Sequence, residues 1–536
     1  MTIDCTKAVS MANSSFENLQ SLFVDFVQPQ LVQRKKQAGV IFSAVVLVLC
    51  YNTINKIIYP PKSLRHIPHV NYIAYTRSQL RKQPASEQAR ELLLPLLAEN
   101  NGFYAIPFLG KWSVQVANPI AIKTILLKFD MFPKANSLSK SQGTLAHRFI
   151  GGPNVFLLEG KKWRKQRMIS NPAFSRSMPV DMFGRITINL FKYLDNIDPT
   201  IDVLDTMKKW TLDTLGSAVF DFDFESLTKP NNEWTSIYYE INASLFVPIF
   251  NILPVLEKSF LWMFPKRKRV HDKMTKLKDM MRQVIIQKQA RLKENKPNPN
   301  LKDTEKDLLT LLLESENEGH EPMSEDELMS NLCAFFFAGH DTTANALSSA
   351  LYHLAVQQDV QKKAREEVIN VLGDEPEDVI PSIEDTRQLD YLNLIIKENM
   401  RINPPVGGPL DRLVTEDIVL DGVLLPKGTS VKVAVYSLHR NPLLWDSPEE
   451  FRPERFLPGG EADKIEGMGY IPFSDGGRQC IGMNFSLVEQ RVLLAMMLRK
   501  YTWKLSENTI NKDELQVYAF NIMAPFDLKI TLEKRY

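Results

Sequence analysis

The stretch Phe473-Ser474-Asp475-Gly476-Gly477-Arg478-Gln479-Cys480-Ile481-Gly482 decides how the rest of this chain is interpreted. It presents one thiol in a turn-rich segment, and an apolar helical pattern begins just beyond it, at Met483. The glycines permit a tight loop and close approach of the backbone to a flat partner. Amide dipoles at the start of the helix are expected to favour the thiolate form of Cys480. A lone thiolate held in this way suits one axial position of a haem iron.

A single cysteine is more often a small buried hydrophobe than a ligand. Here, however, the arrangement Phe-x-x-Gly-x-Arg-x-Cys-x-Gly is complete, and it resembles the haem-binding loop of the cytochrome P450 family. The resemblance implies haem b with its iron ligated by Cys480, and it assigns Phe473, Arg478 and Gly482 to cofactor binding. The family's other motifs follow in the rest of the chain, in the family's order.

Composition limits the classes of protein that fit. The chain has 536 residues with a formal net charge of +2, so the protein as a whole has no strong positive potential that would favour nucleic-acid binding. Its hydrophobic content of 44% is that of an ordinary globular protein with a large core. The four cysteines (Cys5, Cys50, Cys333 and Cys480) form no CxxC pair, which argues against a zinc site or a disulfide scaffold and fits a reducing compartment.

The N-terminal region predicts a membrane anchor. Residues 1–37 are polar and mixed, and the next 18 residues, 38–55, carry no charge. That length is close to the roughly 20 residues that span a bilayer, so we assign an anchor to residues 38–58; a buried core helix is the alternative. Residues 59–70 form a proline-rich linker, and residues 71–536 are assigned to one haem-thiolate monooxygenase domain.

The layout of an anchor followed by prolines also resembles the microsomal members of the family, which are eukaryotic and include fungal proteins. The resemblance implies a single-pass protein of the endoplasmic reticulum membrane, with the catalytic domain facing the cytosol. Lipids of that membrane would then be one of its partners.

The first motif after the anchor lies on a helix. A hairpin pattern over 102–115 and a helix opened by Asn118 come first. Trp163 and Arg167 are then four residues apart and share one helical face, while Lys161 and Lys165 share the opposite face. Taken alone, such a pair is more commonly a buried tryptophan with a snorkelling arginine. In the family this pair contacts a haem propionate, and the lysine face would be available to an acidic reductase.

Residues 242–269 combine two apolar stretches, broken by prolines, with the basic cluster 266–269. They are too short to span a membrane, but they suit an interfacial segment with basic residues at headgroup depth. A core loop beside a solvated helix is the alternative. In the family this region lies over the substrate entrance. Residues 291–300 predict a polar linker.

A capping box at Ser324 and Glu327 predicts the start of a long helix that runs to about residue 358. Within it, residues 338–343 match the family's oxygen-binding helix. Gly339 is expected to leave room for a diatomic ligand, and Thr342 and Asp341 are assigned as the catalytic pair that delivers protons. An exposed polar patch or a helix kink is the alternative for these residues. His340 and Asp341 occupy positions that vary in the family, so the details of the relay stay open.

Two further motifs are structural or bind the cofactor. Glu398 and Arg401 lie three residues apart on one helical face, which usually indicates a weak surface pair. In the family this pair is buried and tied to an arginine, which the motif identifies here as Arg455. Arg412 resembles another propionate contact.

The sequence says least about which residues line the substrate pocket. One face of the long helix and two later segments are assigned to it: Ala334, Phe337, Ala338, Val406, Phe520 and Ile522. Asp341 and Thr342 fall on the same helical face in this assignment. No cation appears among these residues, so a steroid or similar polycyclic lipid is favoured, and a fatty acid is the runner-up.

The motifs together predict a mainly α cytochrome P450 fold with a small β-rich lobe behind one transmembrane helix. The resemblance implies a monooxygenase that uses haem, O₂ and electrons from NADPH delivered by a diflavin reductase, since the sequence shows no flavin or nucleotide motif. A haem-thiolate isomerase or dehydratase, which needs no oxygen-activating pair, is one alternative. A non-catalytic haem-binding membrane protein is the other.

Overall fold

The computed structural model describes residues 48, 51, 53–108, 111–135, 141–176, 178–229, 232–294, 306–314, 323–518 and 522–536. The chain divides into two compact units, residues 1–62 and 63–536. In the first unit, residues 53–58 are helical. The predicted polar segment 1–37 and most of the predicted anchor 38–58 lie outside the described residues. Within the described residues, no helix is both long and apolar enough to cross a membrane.

Helices make up most of the second unit. Those of its first third are α1 (Tyr72–Leu80), α2 (Ala85–Gln88), α3 (Leu94–Leu97), α4 (Pro119–Leu127), α5 (Leu145–Ile150), α6 (Gly160–Arg176), α7 (Val180–Leu194) and α8 (Val203–Phe220). A π-helical turn, Ala89–Leu93, joins α2 to α3. Single 3₁₀ turns occupy Lys62–Leu64, Leu261–Met263, Pro453–Phe456, Ala462–Lys464 and Gly476–Arg478.

The remaining helices include the longest of the described elements. They are α9 (Glu233–Ser244), α10 (Pro248–Ile252), α11 (Pro254–Ser259), α12 (Pro265–Lys293), α13 (Leu308–Glu314), α14 (Glu325–Val356), α15 (Gln358–Leu372), α16 (Ile383–Arg387), α17 (Asp390–Ile402), α18 (Val435–His439) and α19 (Met483–Lys500). The polar linker predicted at 291–300 begins at the end of α12, and its residues from 295 onwards lie outside the described residues.

The strands are few and short: β1 (Phe103–Phe108), β2 (Lys111–Val116), β3 (Thr200–Asp202), β4 (Arg412–Leu413), β5 (Ile418–Leu420), β6 (Val423–Leu425), β7 (Ser430–Val433), β8 (Tyr501–Leu505) and β9 (Lys529–Lys534). They form a four-stranded sheet in the order β1-β2-β7-β4, a three-stranded sheet in the order β3-β9-β8, and the hairpin β5-β6. The predicted mainly α fold with a small β-rich lobe is therefore confirmed.

Local sequence signals produce several of these boundaries. The predicted hairpin is the antiparallel pair β1-β2, in which Phe103 faces Val116. Asn118 caps α4 by accepting a hydrogen bond from the Ala121 N–H, and Pro119 occupies the first turn, where no partner for its nitrogen is needed. Ser324 and Glu327 form the predicted capping box, and α14 runs from there to Val356.

The central helix of the second unit is α14, which is buried along most of its length and packs most extensively against α8. The sheet β1-β2-β7-β4 has its own apolar cluster with α4. The predicted linker 59–70 is only partly a linker: Ile67 and Val70 are buried in this cluster, and the Val70 N–H donates to the Ala105 carbonyl at 3.1 Å. Its last residues belong to the folded unit because their apolar side chains complete the edge of the sheet.

Candidate haem-thiolate site

The loop that carries Cys480 is a tight turn between Phe473 and the start of α19. The Cys480 N–H donates to the Phe473 carbonyl at 2.9 Å, which closes the loop. Gly476 has a φ of +70°, a conformation that other residues adopt at a cost. A side chain at Gly477 would begin 3.4 Å from the Trp163 ring, so the backbone of the loop lies directly against α6.

The Cys480 side chain opens onto a cleft of about 570 Å³ between α6 and the start of α19. Protein atoms crowd the thiol on its other sides, and this burial raises its pKa. A hydrogen bond with the Gly482 backbone and the charge of Arg167 act in the opposite direction without reversing it. The hydrogen bond with the Gly482 backbone, at the start of α19, thus favours the thiolate as expected, but burial outweighs it. Metal coordination, which deprotonates a thiol outright, has to supply that preference.

Arg478 and Trp163 are stacked next to this loop. The Arg478 guanidinium lies 3.8 Å from the centroid of the Trp163 ring, and its Nη1 donates to the Leu158 carbonyl at 2.7 Å. Four residues along α6, Arg167 Nη2 donates to the Gln479 carbonyl at 2.9 Å. The predicted pair on α6 thus meets the cysteine loop through both of its members.

Arg412 on β4 belongs to the same group of cations, together with a lysine that the sequence analysis missed. The backbone of Lys134 pairs with that of Arg412, and the Leu413 N–H donates to the Pro133 carbonyl at 2.8 Å. Burial, followed by the charges of Arg478 and Arg412, lowers the pKa of Lys134 to about 7. Nothing in the sequence around Lys134 marks it, because the β4 contact that places it is long-range.

These cations fit an anionic group that the protein does not itself supply. Within the described residues, Arg412 Nε and Arg478 Nε and Nη2 are buried without a hydrogen-bond partner. Arg478 Nη2 also lies 2.8 Å from Glu159 Oε2, in an ion pair that neutralises part of the cationic charge of this group. Burial is also the main reason why the pKa of Arg478 falls to about 10. Unpaired buried N–H groups are costly, and two haem propionates would pair them.

The oxygen-side face of α14 is the second half of the site. Ala338 is exposed, and Phe337 and Thr342 are half-buried, in a helix that is otherwise buried over most of its length. Thr342 Oγ1 donates to the Ala338 carbonyl at 2.7 Å, which holds the hydroxyl on this face. No other described element packs tightly over Ala338, so the face has room for a flat group and a substrate.

Asp341 does not lie on that face, and in this respect the predicted face is wrong. Its carboxylate accepts from Asn242 Nδ2 at 2.6 Å and lies 3.2 Å from Lys208 Nζ. His340 Nδ1 lies 3.3 Å from the same carboxylate. Successive residues on a helix are about 100° apart, so Asp341 points to α8 and α9 while Thr342 stays on the open face.

The neighbours of Asp341 fix its charge. Burial alone would raise the pKa of this carboxyl, but His340, Lys208 and Asn242 together hold it well below its usual range. The group is therefore an anion near neutral pH. It can accept or orient a proton donor, but it does not store a proton.

Gly339 has a different role from the one predicted. A side chain at this position would begin 2.7 Å from Leu215 Cδ1 on α8. The missing side chain therefore allows α14 and α8 to pack closely, and it does not open space for a diatomic ligand.

Glu398, Arg401 and Arg455 meet in one buried network. Arg401 Nε and Nη2 donate to the two carboxylate oxygens of Glu398 at 2.7 and 2.8 Å. Arg455 Nε donates to the same carboxylate at 3.3 Å, and its Nη2 donates to the Ser447 carbonyl at 2.8 Å. All three side chains have no exposed surface. The network joins α17 to the segment that leads towards the cysteine loop.

The residues assigned to the substrate pocket are only partly brought together. Val406 and Ile522 form an antiparallel bridge, so the segment after α17 and the C-terminal segment do meet. Ala334 is buried, unlike Phe337 and Ala338 on the open face. Phe520 lies outside the described residues.

The apolar segment 245–264 is largely exposed. Seven large apolar side chains of this segment are at least two-fifths exposed: Ile249, Ile252, Leu253, Val255, Phe260, Trp262 and Met263. The basic cluster that follows is not uniform, because Arg267 is buried while its neighbours are exposed. The prediction that the whole cluster lies at headgroup depth is therefore wrong for Arg267, whose side chain pairs with a buried carboxylate.

Comparison with known proteins agrees with this geometry. A protein-family model described as "Cytochrome P450" matches residues 95–528. The chain is 30% identical to cytochrome P450 3A12 of Canis lupus familiaris over 431 residues, which are 76% of this chain and 80% of that protein. It is 31% identical to cytochrome P450 3A13 of Mus musculus over 416 residues, which are 72% of this chain and 76% of that protein.

Solved structures show the same fold. The crystal structure of the cytochrome P450DA heme domain matches with a TM-score of 0.73 at 22% identity, over 90% of this chain and 99% of that one. At this identity the likeness concerns the fold alone.

Proposed function

The chain belongs to the cytochrome P450 family, and from that premise we propose that it hydroxylates a bulky, largely neutral lipophilic substrate at a membrane. It is a haem-thiolate monooxygenase, as the family and the fold establish. The observation that carries the substrate proposal is the open face of α14, where Phe337 and Ala338 stand beside Thr342. This face offers apolar contact and has no cation among its described residues, which suits a steroid or similar polycyclic lipid.

We assign the haem to the space bordered by the Cys480 loop and the open face of α14. When bound, the haem supplies the activation of O₂ and the insertion of one oxygen atom into a C–H bond. In this proposal Cys480 would hold the haem iron, Phe473 and Gly482 shape the loop, and Trp163 packs against it. The propionates are held by Arg167, Arg412 and Arg478, with Lys134 added to the set that the sequence predicted.

Thr342 and Asp341 keep separate roles in the proposed proton path. The Thr342 hydroxyl lies on the open face, where it would hold a proton donor for the oxygen chemistry that a bound haem would supply. Asp341, held as an anion between Lys208 and Asn242, lies one residue away and orients proton donors from the side of α8. Lys208 is partly exposed, so it connects this carboxylate to solvent.

Electrons are proposed to arrive from an NADPH-dependent diflavin reductase at the surface of α6. Lys161, Lys162 and Arg164 are exposed there, and the cleft beside Cys480 opens between this helix and α19. A cationic surface next to the thiolate loop complements an acidic flavin domain.

Membrane attachment is proposed through two elements, the anchor at 38–58 and the apolar segment 245–264. The exposed apolar side chains of the segment, with Lys266, Lys268 and Arg269 next to them, suit insertion at the interface of an endoplasmic reticulum membrane. The catalytic domain then faces the cytosol. Because Ile67 and Val70 are core residues, this domain begins before residue 71.

A ligand panel tests the substrate class. Progesterone and other steroids should shift the Soret band of the purified holoenzyme when they bind. The shift should be lost in Ala338→Phe, while carbon monoxide binding persists. Val356→Phe, at the exposed end of α14, is a control that should leave the shift unchanged. A shift given by fatty acids and by no steroid would overturn the polycyclic assignment in favour of the fatty acid.

A cysteine variant tests the ligand assignment. Cys480→Ser should lose the red-shifted Soret band of the reduced carbon monoxide complex, because a serine oxygen donates less electron density to iron than a thiolate does. Cys333→Ser, at the other described free cysteine, should keep that band. Persistence of the band in Cys480→Ser would end the assignment.

A further inference from the structure

A buried carboxylate, Glu257, lies in α11 and belongs to none of the groups assigned above. Its side chain is 1% exposed. One of its oxygens, Oε1, accepts three hydrogen bonds: from the Leu145 N–H at 2.9 Å, from Arg267 Nε at 2.8 Å and from His271 Nε2 at 2.7 Å. These donors come from α5 and from α12. Glu257 is therefore the point at which three helices are joined.

The three donors keep Glu257 ionised. Burial alone would raise the pKa of this carboxyl, but the hydrogen bonds from His271, Arg267 and the Leu145 amide hold it below its usual range. A buried anion is stable only while such donors stay in place. The three helices are consequently held together by an interaction that tolerates little displacement.

Glu257 is connected to the rest of the protein through two chains of contacts, which we call arms. The first arm runs through Arg267. Besides the bond to Glu257, its Nη1 donates to the Ser244 carbonyl at the end of α9. Its guanidinium also lies 4.6 Å from the centroid of the Phe250 ring. Arg267 thus fixes the chain on both sides of Phe246.

The second arm runs through His271. Its Nδ1 accepts from Arg148 Nη1 at 2.9 Å, because an arginine can only donate. Nε2 then carries a proton, which it donates to Glu257. Arg148 also donates to the His271 carbonyl at 3.0 Å and to Thr275 Oγ1 at 2.7 Å. This arm fixes α5 at the residue next to Phe149.

Both arms end beside an aromatic ring that contacts Phe337. The centroid of Phe149 lies 6.4 Å from that of Phe337 with an interplanar angle of 85°. The centroid of Phe246 lies 6.0 Å from that of Phe337 with an angle of 58°. The edge contact with Phe149 and the tilted contact with Phe246 favour one orientation of the Phe337 ring over others. The position of Phe337 on the open face of α14 therefore depends on where α5 and the end of α9 are held.

We propose that Glu257 is a positioning residue for substrate binding, which through Arg267 and His271 holds Phe246 and Phe149 against Phe337. The inference rests on the proposed function, in which Phe337 contacts the substrate. Without the carboxylate, α5 and the segment after α9 separate, and Phe337 loses the two rings that orient it. Binding of a bulky substrate weakens, while Cys480 and Thr342 are untouched.

Glu257→Gln tests this in the full-length holoenzyme, since it keeps the shape of the side chain and removes its charge. The spectral Kd for progesterone should rise roughly tenfold, within the coupling range of contacting residues. KM should rise with kcat nearly unchanged, and the carbon monoxide spectrum should stay normal. The matched control is Glu240→Gln, which removes an exposed ion pair with Lys273 that also joins α9 to α12; it should leave the Kd unchanged.

A double-mutant cycle separates positioning from general loosening. In a Phe337→Ala background, Glu257→Gln should change the Kd less than twofold, because the contact through which it acts is gone. A full tenfold effect in that background would overturn the proposal. Arg148→Leu breaks only the second arm, at a partly exposed residue, and should raise the Kd in the same direction by a smaller factor. If Glu257→Gln does not fold, an unchanged Kd in Arg148→Leu overturns the proposal.

Hydrogen exchange gives a readout that does not depend on the substrate. In the variants, amides of 145–150 and 245–250 should exchange faster than in the wild type, and those of 483–500 should not. Wild-type protein that binds no steroid contradicts the proposed function, whereas unchanged exchange in both segments contradicts the positioning role.

Discussion

Two groups of buried arginines in this protein differ in whether their hydrogen bonds are complete. Arg401 and Arg455 use every side-chain nitrogen, on Glu398, Glu461 and backbone carbonyls. Arg412 and Arg478, near Cys480, have three nitrogens without a hydrogen bond among the described residues, although one of them, Arg478 Nη2, forms an ion pair with Glu159. Both groups have the same residue type and similar burial. The saturated group is complete within the chain, whereas the unsaturated group needs an anion from outside it.

The difference shows that buried arginines can either stabilise the fold or bind a ligand, depending on whether the chain supplies all their hydrogen-bond partners. A buried guanidinium that is fully paired by the chain contributes to one fixed arrangement, and breaking it leaves a charge without a partner. A buried guanidinium that is incompletely paired destabilises the chain until a ligand completes it. Removing a residue from the fully paired group should therefore destabilise the protein without haem, whereas removing one from the other group should not.

The largest effect is expected from the saturated group. Arg401→Ala leaves Glu398 buried with Arg455 as its remaining charged partner, and the free energy of unfolding should fall by about 3–5 kcal/mol. Urea denaturation of the haem-free protein measures it. Lys363→Ala, at the exposed pair with Glu454, is the control and should cost about 0–1 kcal/mol. Equal losses in the two variants would contradict the distinction between the groups.

An intermediate effect is expected from the unsaturated group. Arg478→Leu should weaken haem binding roughly ten- to a hundredfold, because one charge-assisted contact with a propionate is lost. The haem-free protein should be no less stable than the wild type, since an incompletely paired cation has been removed. Haem titration and urea denaturation measure the two quantities. Arg164→Leu, at an exposed arginine of α6, should change neither. A destabilised haem-free Arg478→Leu would place Arg478 with the saturated group.

The smallest effect concerns Lys134 and depends on pH. Its pKa is about 7 without haem, and a bound propionate should raise it, so haem binding takes up a proton. Haem affinity should consequently fall as pH rises from 7 towards the higher pKa of the bound state, and it should be pH-independent below 7. A tenfold fall corresponds to one unit of difference between the two pKa values.

Lys134→Met should remove this slope, and titrations at pH 6, 7, 8 and 9 would show it. The exposed Lys128→Met is the matched control and should keep the wild-type slope. The same slope in Lys134→Met and in the wild type would mean that Lys134 does not face the propionates.

Local patterns predicted much of the architecture. The capping box at Ser324, the cap at Asn118 and the β1-β2 hairpin were predicted because each depends on residues that are close in sequence. The complete cysteine loop and the motifs in order identified the fold. The predictions were wrong where contacts between distant parts of the chain determine a residue's environment. These cases are the direction of the Asp341 side chain, the residue that packs against Gly339, and the burial of Arg267.

The sequence by itself determined the family, the cysteine loop and the order of the helices around it, because spacing along the chain carries that information. Only the tertiary structure decided the rest of the site. Lys134 lies beside Arg412 because residues 133–135 pair with β4, nearly 280 positions away. Glu257 joins α5, α11 and α12 in the same way. A buried charged side chain either finds all its hydrogen-bond partners within the chain or needs a ligand to supply them. Which of the two holds depends on residues that are distant in sequence, and motif spacing does not encode those contacts.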